Sequence, residues 1–235
     1  MHLAPTQAVV VQVVEAGVRE RGGERPQLGQ VEKILWSVVD GSQEPDQPYF
    51  VRYRDRLGRT IANDSDLESV LGADFDIHRV LKPDTFCVSF YGWSRVAAFF
   101  RAWSESGLRA VEHIVWHKSY ASRCGFLRAR HEQAYLLANG FPATPDDPIE
   151  GVQPWEYIGN RVHPTEKAVS IRVPLIESFS RPEALVLDPF AGSGTTLVAA
   201  ALCGRKYIGI ELENGYCRHA RLRLMGLGEC VMSSV

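Results

Sequence analysis

Leu185-Val186-Leu187-Asp188-Pro189-Phe190-Ala191-Gly192-Ser193-Gly194-Thr195-Thr196 is the stretch on which the fold turns. An apolar strand ends in an acid, and a turn of small residues then opens a helix over Thr195 to Leu202. Gly192 and Gly194 let main chain approach a ligand that a side chain would obstruct. The unpaired amides at the start of that helix can receive a carboxylate or another anion. A P-loop would need a Lys before its closing Ser or Thr, and none is present. A dinucleotide fingerprint would carry a third glycine, which GSGTTL lacks. The next strand, Tyr207 to Ile210, runs into Glu211, 23 positions after Asp188. That spacing suits a carboxylate at the tip of a second strand accepting ribose hydroxyls. Taken singly, Asp188 is a turn cap and Glu211 a solvated strand end. Paired on successive strands, they mark a nucleoside site.

Outward from this centre, strands and helices alternate. Ile34 to Val39, Thr85 to Phe90, Val111 to Trp116, Gln133 to Leu137 and Ala184 to Leu187 are predicted strands. Residues 66–81, Ser94 to Ser106, Ser170 to Ser180 and Asn214 to Leu224 are predicted helices. Lys82-Pro83-Asp84 stops the first and Gly107 closes the second. Phe141 to Pro154, with four prolines, reads as a surface loop. The alternation predicts an α/β fold, a parallel sheet with helices on both faces, binding its ligand beyond the carboxyl ends of the strands. Residues 1–33 lack patterning and read as a poorly ordered arm; residues 34–235 form the folded domain.

The bulk numbers exclude little. At 45% hydrophobic and 23% charged, the chain is that of a soluble globular protein. A net charge of -2 gives no global field for a polyanion, so a nucleic-acid partner requires locally clustered cations. Cys87, Cys124, Cys203, Cys217 and Cys230 form no CxxC pair and lie at no zinc-ligand spacing with His, so no metal is expected. Scattered thiols suit a reducing, cytoplasmic setting. The opening MHLAPTQAVVVQVVEAG lacks a basic start and a sustained apolar run, so neither signal peptide nor membrane span is expected.

DPFAGSGTT followed by YIGIEL resembles the cofactor motifs of the amino-methyltransferases that act on DNA. That resemblance implies a Rossmann-like class I methyltransferase sheet using S-adenosylmethionine. It places Asp188, Pro189, Phe190, Ala191, Gly192, Ser193, Gly194, Thr195 and Thr196 around the cofactor and Glu211 on its ribose. His163-Pro164-Thr165-Glu166-Lys167 is similar to the family's HPTQKP motif, which packs against the cofactor's methionine end, so His163, Thr165 and Lys167 join the set. Glu166 replaces Gln, and Ala168 the final Pro. The plain physical alternative is that Thr165 caps the following helix.

The family's catalytic motif has an Asp, Asn or Ser, then two prolines, then an aromatic. Asp46-Gln47-Pro48-Tyr49 matches it except at Gln47. The resemblance implies that the Asp46 carboxylate and the Gln47 carbonyl, held by Pro48, accept the two hydrogens of an exocyclic base amine. Tyr49 then stacks on the extruded base. Asp at the first position resembles the adenine-N6 enzymes, where Ser would lean to cytosine-N4. Gln47 removes one fixed φ and leaves open a degenerate homologue that binds without transferring. The motif order, catalytic first and cofactor loop last, is that of the circularly permuted β group. The resemblance spans about Asp46 to Leu224.

Double-stranded DNA is the implied partner. Arg52 and Arg54, with Arg56 and Arg59, follow the catalytic motif. Lys118, Arg123, Arg128 and Arg130 lie where the family has its target-recognition insert, here a short one at about 117–160. Tyr91-Gly92-Trp93 and Trp155-Glu156-Tyr157 fit a base pocket or the core equally well. Small members of the family pair, which implies a homodimer. A restriction endonuclease partner is neither implied nor excluded.

Overall fold

The computed structural model describes residues 10–11, 49–52, 77–93, 96–121, 123–124, 126–158, 167–211 and 214–232. The strand expected at Ile34 to Val39 and most of the helix expected over 66–81 lie outside these residues. The last turn of that helix, 77–80, is helical. It ends with the Leu81 N–H donating to the Ile77 carbonyl at 3.0 Å.

Two hydrogen-bonded sheets carry the fold. The first runs β1 (Val10–Val11), β3 (Thr85–Phe90), β7 (His131–Asn139), β4 (Arg109–His117) and β8 (Val152–Pro154). The second runs β2 (Tyr49–Arg52), β10 (Lys206–Glu211) and β9 (Leu185–Asp188), all parallel. A hairpin of β5 (Arg123–Cys124) and β6 (Arg128–Ala129) stands apart from both. Helices α1 (Val96–Ser106), α2 (Val169–Phe179), α3 (Thr195–Leu202) and α4 (Asn214–Met232) complete the set.

The period-2 alternation of β3, β7 and β4 sends successive side chains to opposite helical layers. Cys87 and Leu137 point with Leu187, Ile208 and Ile210 toward Phe99 and Trp103 of α1. That single cluster joins strands of both sheets. Val88, Phe90, Leu136 and Trp116 point the other way, onto Ala168, Ile171 and Leu175 at α2. Helix α3 is buried on every side from Thr195 to Ala200, wedged between Ile176 and Val186 on one side and Leu224 of α4 on another, and only its end at Leu202 reaches solvent.

Two expectations are corrected. The sheet is mixed, because β7 is antiparallel to both β3 and β4. β3 and β4 are joined across α1 and so run parallel to each other. β4 returns to β7 through residues 118–130, where the described residues form the β5–β6 hairpin rather than a crossover helix, and a return of that kind takes the antiparallel sense. The proline-rich segment ends in strand rather than loop: β8 pairs parallel with the edge of β4, where Pro154 needs no donor. The amino-terminal arm also contributes β1, which pairs antiparallel with β3.

Candidate functional site

The turn after β9 is built from the top of the strand downward. Asp188 is 1% exposed, and its Oδ1 accepts the Phe190 N–H at 3.0 Å, folding the chain back on itself. The turn then passes through Gly192 and Gly194, both at positive φ (52° and 78°). Gly194 caps α3 in the left-handed region, and a methyl group placed on it would stand 2.5 Å from Ala220 Cβ on α4. Gly209 of β10 has the same role beneath α3: an added methyl would meet Leu197 Cδ1 at 2.4 Å. The turn is therefore pressed between α4 and the sheet with no space for larger residues.

Glu211 ends β10, and its Oε2 accepts the Gly192 N–H at 2.7 Å. The two features read separately from sequence, glycine turn and strand-tip acid, are thus in direct contact. From α4, Arg223 Nη1 donates to the Ser193 carbonyl at 2.9 Å and to Thr195 Oγ1 at 3.0 Å, clamping the turn from outside. Nothing in the sequence pattern singled out Arg223, which sits among other charged residues of a surface helix.

Lys167 and Arg172 flank the buried acid. Both are nearly inaccessible, at 7% and 2%. Burial, then repulsion from Arg172, pushes the Lys167 ammonium down to about 7, with Glu132 and Asp188 opposing the fall. Burial likewise lowers Arg172 to about 9, opposed by Asp188. Burial raises the Asp188 carboxyl, against a hydrogen bond from Thr196 and the field of Arg172. Both cations lie over the Phe90 ring, at 5.0 Å for Lys167 Nζ and 4.2 Å for Arg172 Cζ. Phe90 stacks in turn on Trp116, ring centroids 4.9 Å apart. The carboxyl ends of β9, β3 and β4 thereby converge on one charged edge. Arg172 and Phe90 were missed by sequence reading because each looks like an ordinary member of its element.

The other expected site residues divide. Asp188, Pro189, Phe190, Ala191, Gly192, Ser193, Gly194, Thr195, Thr196 and Glu211 come together around the turn, with Lys167 beside Asp188. Asp46, Gln47, Pro48, Arg54, His163 and Thr165 lie outside the described residues. Helix α2 has Ala168, not Thr165, at its N-cap. For Tyr49 and Arg52 the main chain alone is described. β2 pairs with the strand bearing Glu211, with Tyr49 opposite Ile208 and Arg52 opposite Glu211. Tyr49 therefore lies three residues, roughly 10 Å of strand, back from the Glu211 row.

Lys118 is a correction. Expected among the DNA contacts, it is 3% exposed and paired with Glu132. Its ammonium lies 5.0 Å from the Trp155 ring and 5.6 Å from that of Tyr120. Its charge is spent on holding the base of the β5–β6 hairpin. Arg128 and Arg130 are exposed as expected. Arg130 Nη2 also donates to the Ser119 carbonyl at 2.5 Å. Of Arg123 only the paired main chain is described. Trp93 is exposed, whereas Tyr91 is buried in an aromatic cluster with Phe99 and Trp103.

Chemically, a strand-tip carboxylate oriented by a backbone amide suits a vicinal diol. A helix start and a buried ammonium in the field of Asp188 suit a carboxylate. The donor set fits a nucleoside joined to an amino acid. Among the described residues no cluster of His, Cys, Asp and Glu could hold a metal ion, and no helix is long and apolar enough to cross a membrane.

Comparison with known proteins agrees. A family model described as DNA methylase matches residues 148–222. The Escherichia coli (strain K12) protein YubD, named as a methylase, is 53% identical over 179 residues, covering 76% of this chain and 79% of that protein. Among solved structures, the cytosine-N4-specific PvuII DNA methyltransferase superposes with a TM-score of 0.60 at 16% identity, covering 83% of this chain and 84% of that one. M1.HpyAVI in complex with SAM gives 0.58 at 23% identity, covering 67% and 83%. These two share the fold.

Proposed function

Because this chain belongs to the DNA methylase family whose members modify the N6 or N4 amines of bases, we propose that it methylates the N6 amine of adenine in double-stranded DNA. S-adenosylmethionine is the cofactor, and when bound it supplies a methyl group activated on a sulfonium. The observation that carries this reading is the contact between the Gly192 amide and the Glu211 carboxylate, which builds the nucleoside end of the site.

The chain's own residues then have defined tasks. Glu211 accepts the ribose hydroxyls, with Gly192 fixing its rotamer. The amides at the start of α3, with Arg223 bracing the turn behind them, and the Lys167 ammonium hold the methionine carboxylate. Asp188, kept in place by Thr196 and Phe190, sets the turn's exit angle. A base amine conjugated to its ring is a weak nucleophile, so its geometry matters more than deprotonation. Asp46 and the Gln47 carbonyl accept its two hydrogens, and Tyr49 stacks on the base. The strand that begins at Tyr49 is the hydrogen-bonded neighbour of the strand that ends at Glu211, with Tyr49 opposite Ile208, so the two motifs share a sheet but not a row. No covalent enzyme intermediate is required, because the amine itself attacks.

The adenine reading rests on Asp46, and its test is product analysis. The purified protein is incubated with unmethylated DNA and tritiated cofactor, and the DNA is digested to nucleosides. N6-methyladenine is the expected product; N4-methylcytosine as sole product transfers the assignment to cytosine. Cofactor binding without transfer, restored by Gln47→Pro, would identify a degenerate catalytic loop instead.

A further inference from the structure

Phe126 and Leu127 form the tip of the β5–β6 hairpin and are adjacent large apolar residues standing in solvent, at 109% and 84% exposure. Full exposure of two adjacent large apolar side chains costs solvation and calls for a partner. The stem beneath them is anchored. The Lys118 N–H donates to the Arg130 carbonyl at 2.8 Å. Lys118 pairs with Glu132 and lies over Tyr120 and Trp155, and Tyr120 packs on Tyr157 at 4.9 Å. A fixed base thus holds an apolar point in solvent.

The hairpin's position supplies the rest. It joins the carboxyl end of β4 to the start of β7. The fields of Lys118 and Glu132 reach Lys167, which also feels Asp188, so the stem and the cofactor turn share one edge of the molecule. Arg128 is exposed beside the tip and Arg130 at the foot of the stem, together a basic collar suited to phosphates. An apolar point inside a cationic collar is complementary to a base stack inside a phosphate backbone.

We propose that Phe126 and Leu127 are a wedge that enters duplex DNA and fills the gap left in the stack when the target base is extruded. This rests on the DNA methyltransferase reading above and assigns that site its means of keeping the duplex open. The wedge acts without covalent chemistry: Phe126 replaces the stacking lost by the neighbours of the departing base, while Arg128 and Arg130 hold the flanking phosphates.

The test needs neither the recognition sequence nor turnover. Binding of the full-length protein is measured by fluorescence anisotropy on a short intact duplex and on the same duplex with one abasic position, where the gap already exists. Wild type binds the abasic duplex tighter by about tenfold, and Phe126→Ala/Leu127→Ala loses that preference while keeping its melting temperature. A Phe126→Trp variant, read against the five native tryptophans, is quenched by the abasic duplex and not by heparin, a polyanion with no bases. Equal wild-type affinity for the two duplexes, a preference that survives in the double variant, or equal quenching by heparin overturns the wedge. Failure of wild type to bind any duplex would instead remove the DNA reading itself.

Discussion

Lys167 is a cation kept where cations are expensive. Its ammonium is pushed to about 7 by burial and by Arg172, so near neutral pH the folded protein holds it only partly charged. The ordinary value is 10.5. Between these limits the unfolded chain binds more protons than the folded one, so this group's contribution to stability rises as pH rises from about 7 toward 10.5. Ligand binding reverses the sign locally, because a carboxylate beside Lys167 favours the ammonium. Cofactor binding at pH 8 is therefore expected to take up a substantial fraction of a proton. Calorimetry in buffers of different ionisation enthalpy measures it, and Lys167→Met should abolish it. Arg172→Leu removes one cause of the depression, so uptake at pH 8 should fall as Lys167 is already charged. Unchanged proton uptake in Lys167→Met would place the cofactor carboxylate elsewhere. None of this was legible in the sequence, where Lys167 is the last letter of HPTEK and Arg172 one helical residue among several.

The turn between β9 and α3 is an element whose requirements were legible, because its constraint is local. An acid, two glycines and a helix start specify one backbone path whatever surrounds them. Gly209 was not legible in the same way, since its reason is the packing of α3, the element just before it, flat onto β10. Gly209→Ala forces Leu197 Cδ1 back from 2.4 Å and also crowds Ala191 Cβ at 3.1 Å. Overpacking of this kind costs about 1–3 kcal/mol. The expected result is a melting temperature lower by several degrees and weaker cofactor binding, because Ala191 opens the turn that Glu211 engages. A variant as stable as wild type would mean that α3 moves freely on the sheet. Strand direction failed to show in sequence for a related reason. The apolar runs of β3, β4 and β7 are alike, and the antiparallel sense of β7 goes with a hairpin in the return where a crossover helix would otherwise stand, not with any residue within the strand. β8 was hidden by its prolines, which an edge position tolerates.

At the scale of the molecule, a net charge of -2 must still admit a polyanion. Sequence reading treated every cation between Trp116 and Gln133 as a candidate contact. Burial separates them: Lys118 is paired with Glu132 inside the hairpin stem, whereas Arg128 and Arg130 face solvent. The distinction has a thermodynamic signature. Each phosphate contact removed lowers the slope of log affinity against log salt by about 1. Arg128→Gln is therefore expected to weaken duplex binding at low salt and to flatten that slope by about one unit. Lys118→Met should leave the slope alone and lower the melting temperature instead, because it removes the partner of Glu132 and loosens the stem. Titrations of one duplex at several salt concentrations, set beside thermal melts of the same two variants, compare the residues directly. If Lys118→Met flattens the slope as much as Arg128→Gln does, the hairpin opens on DNA and its buried lysine becomes a phosphate contact.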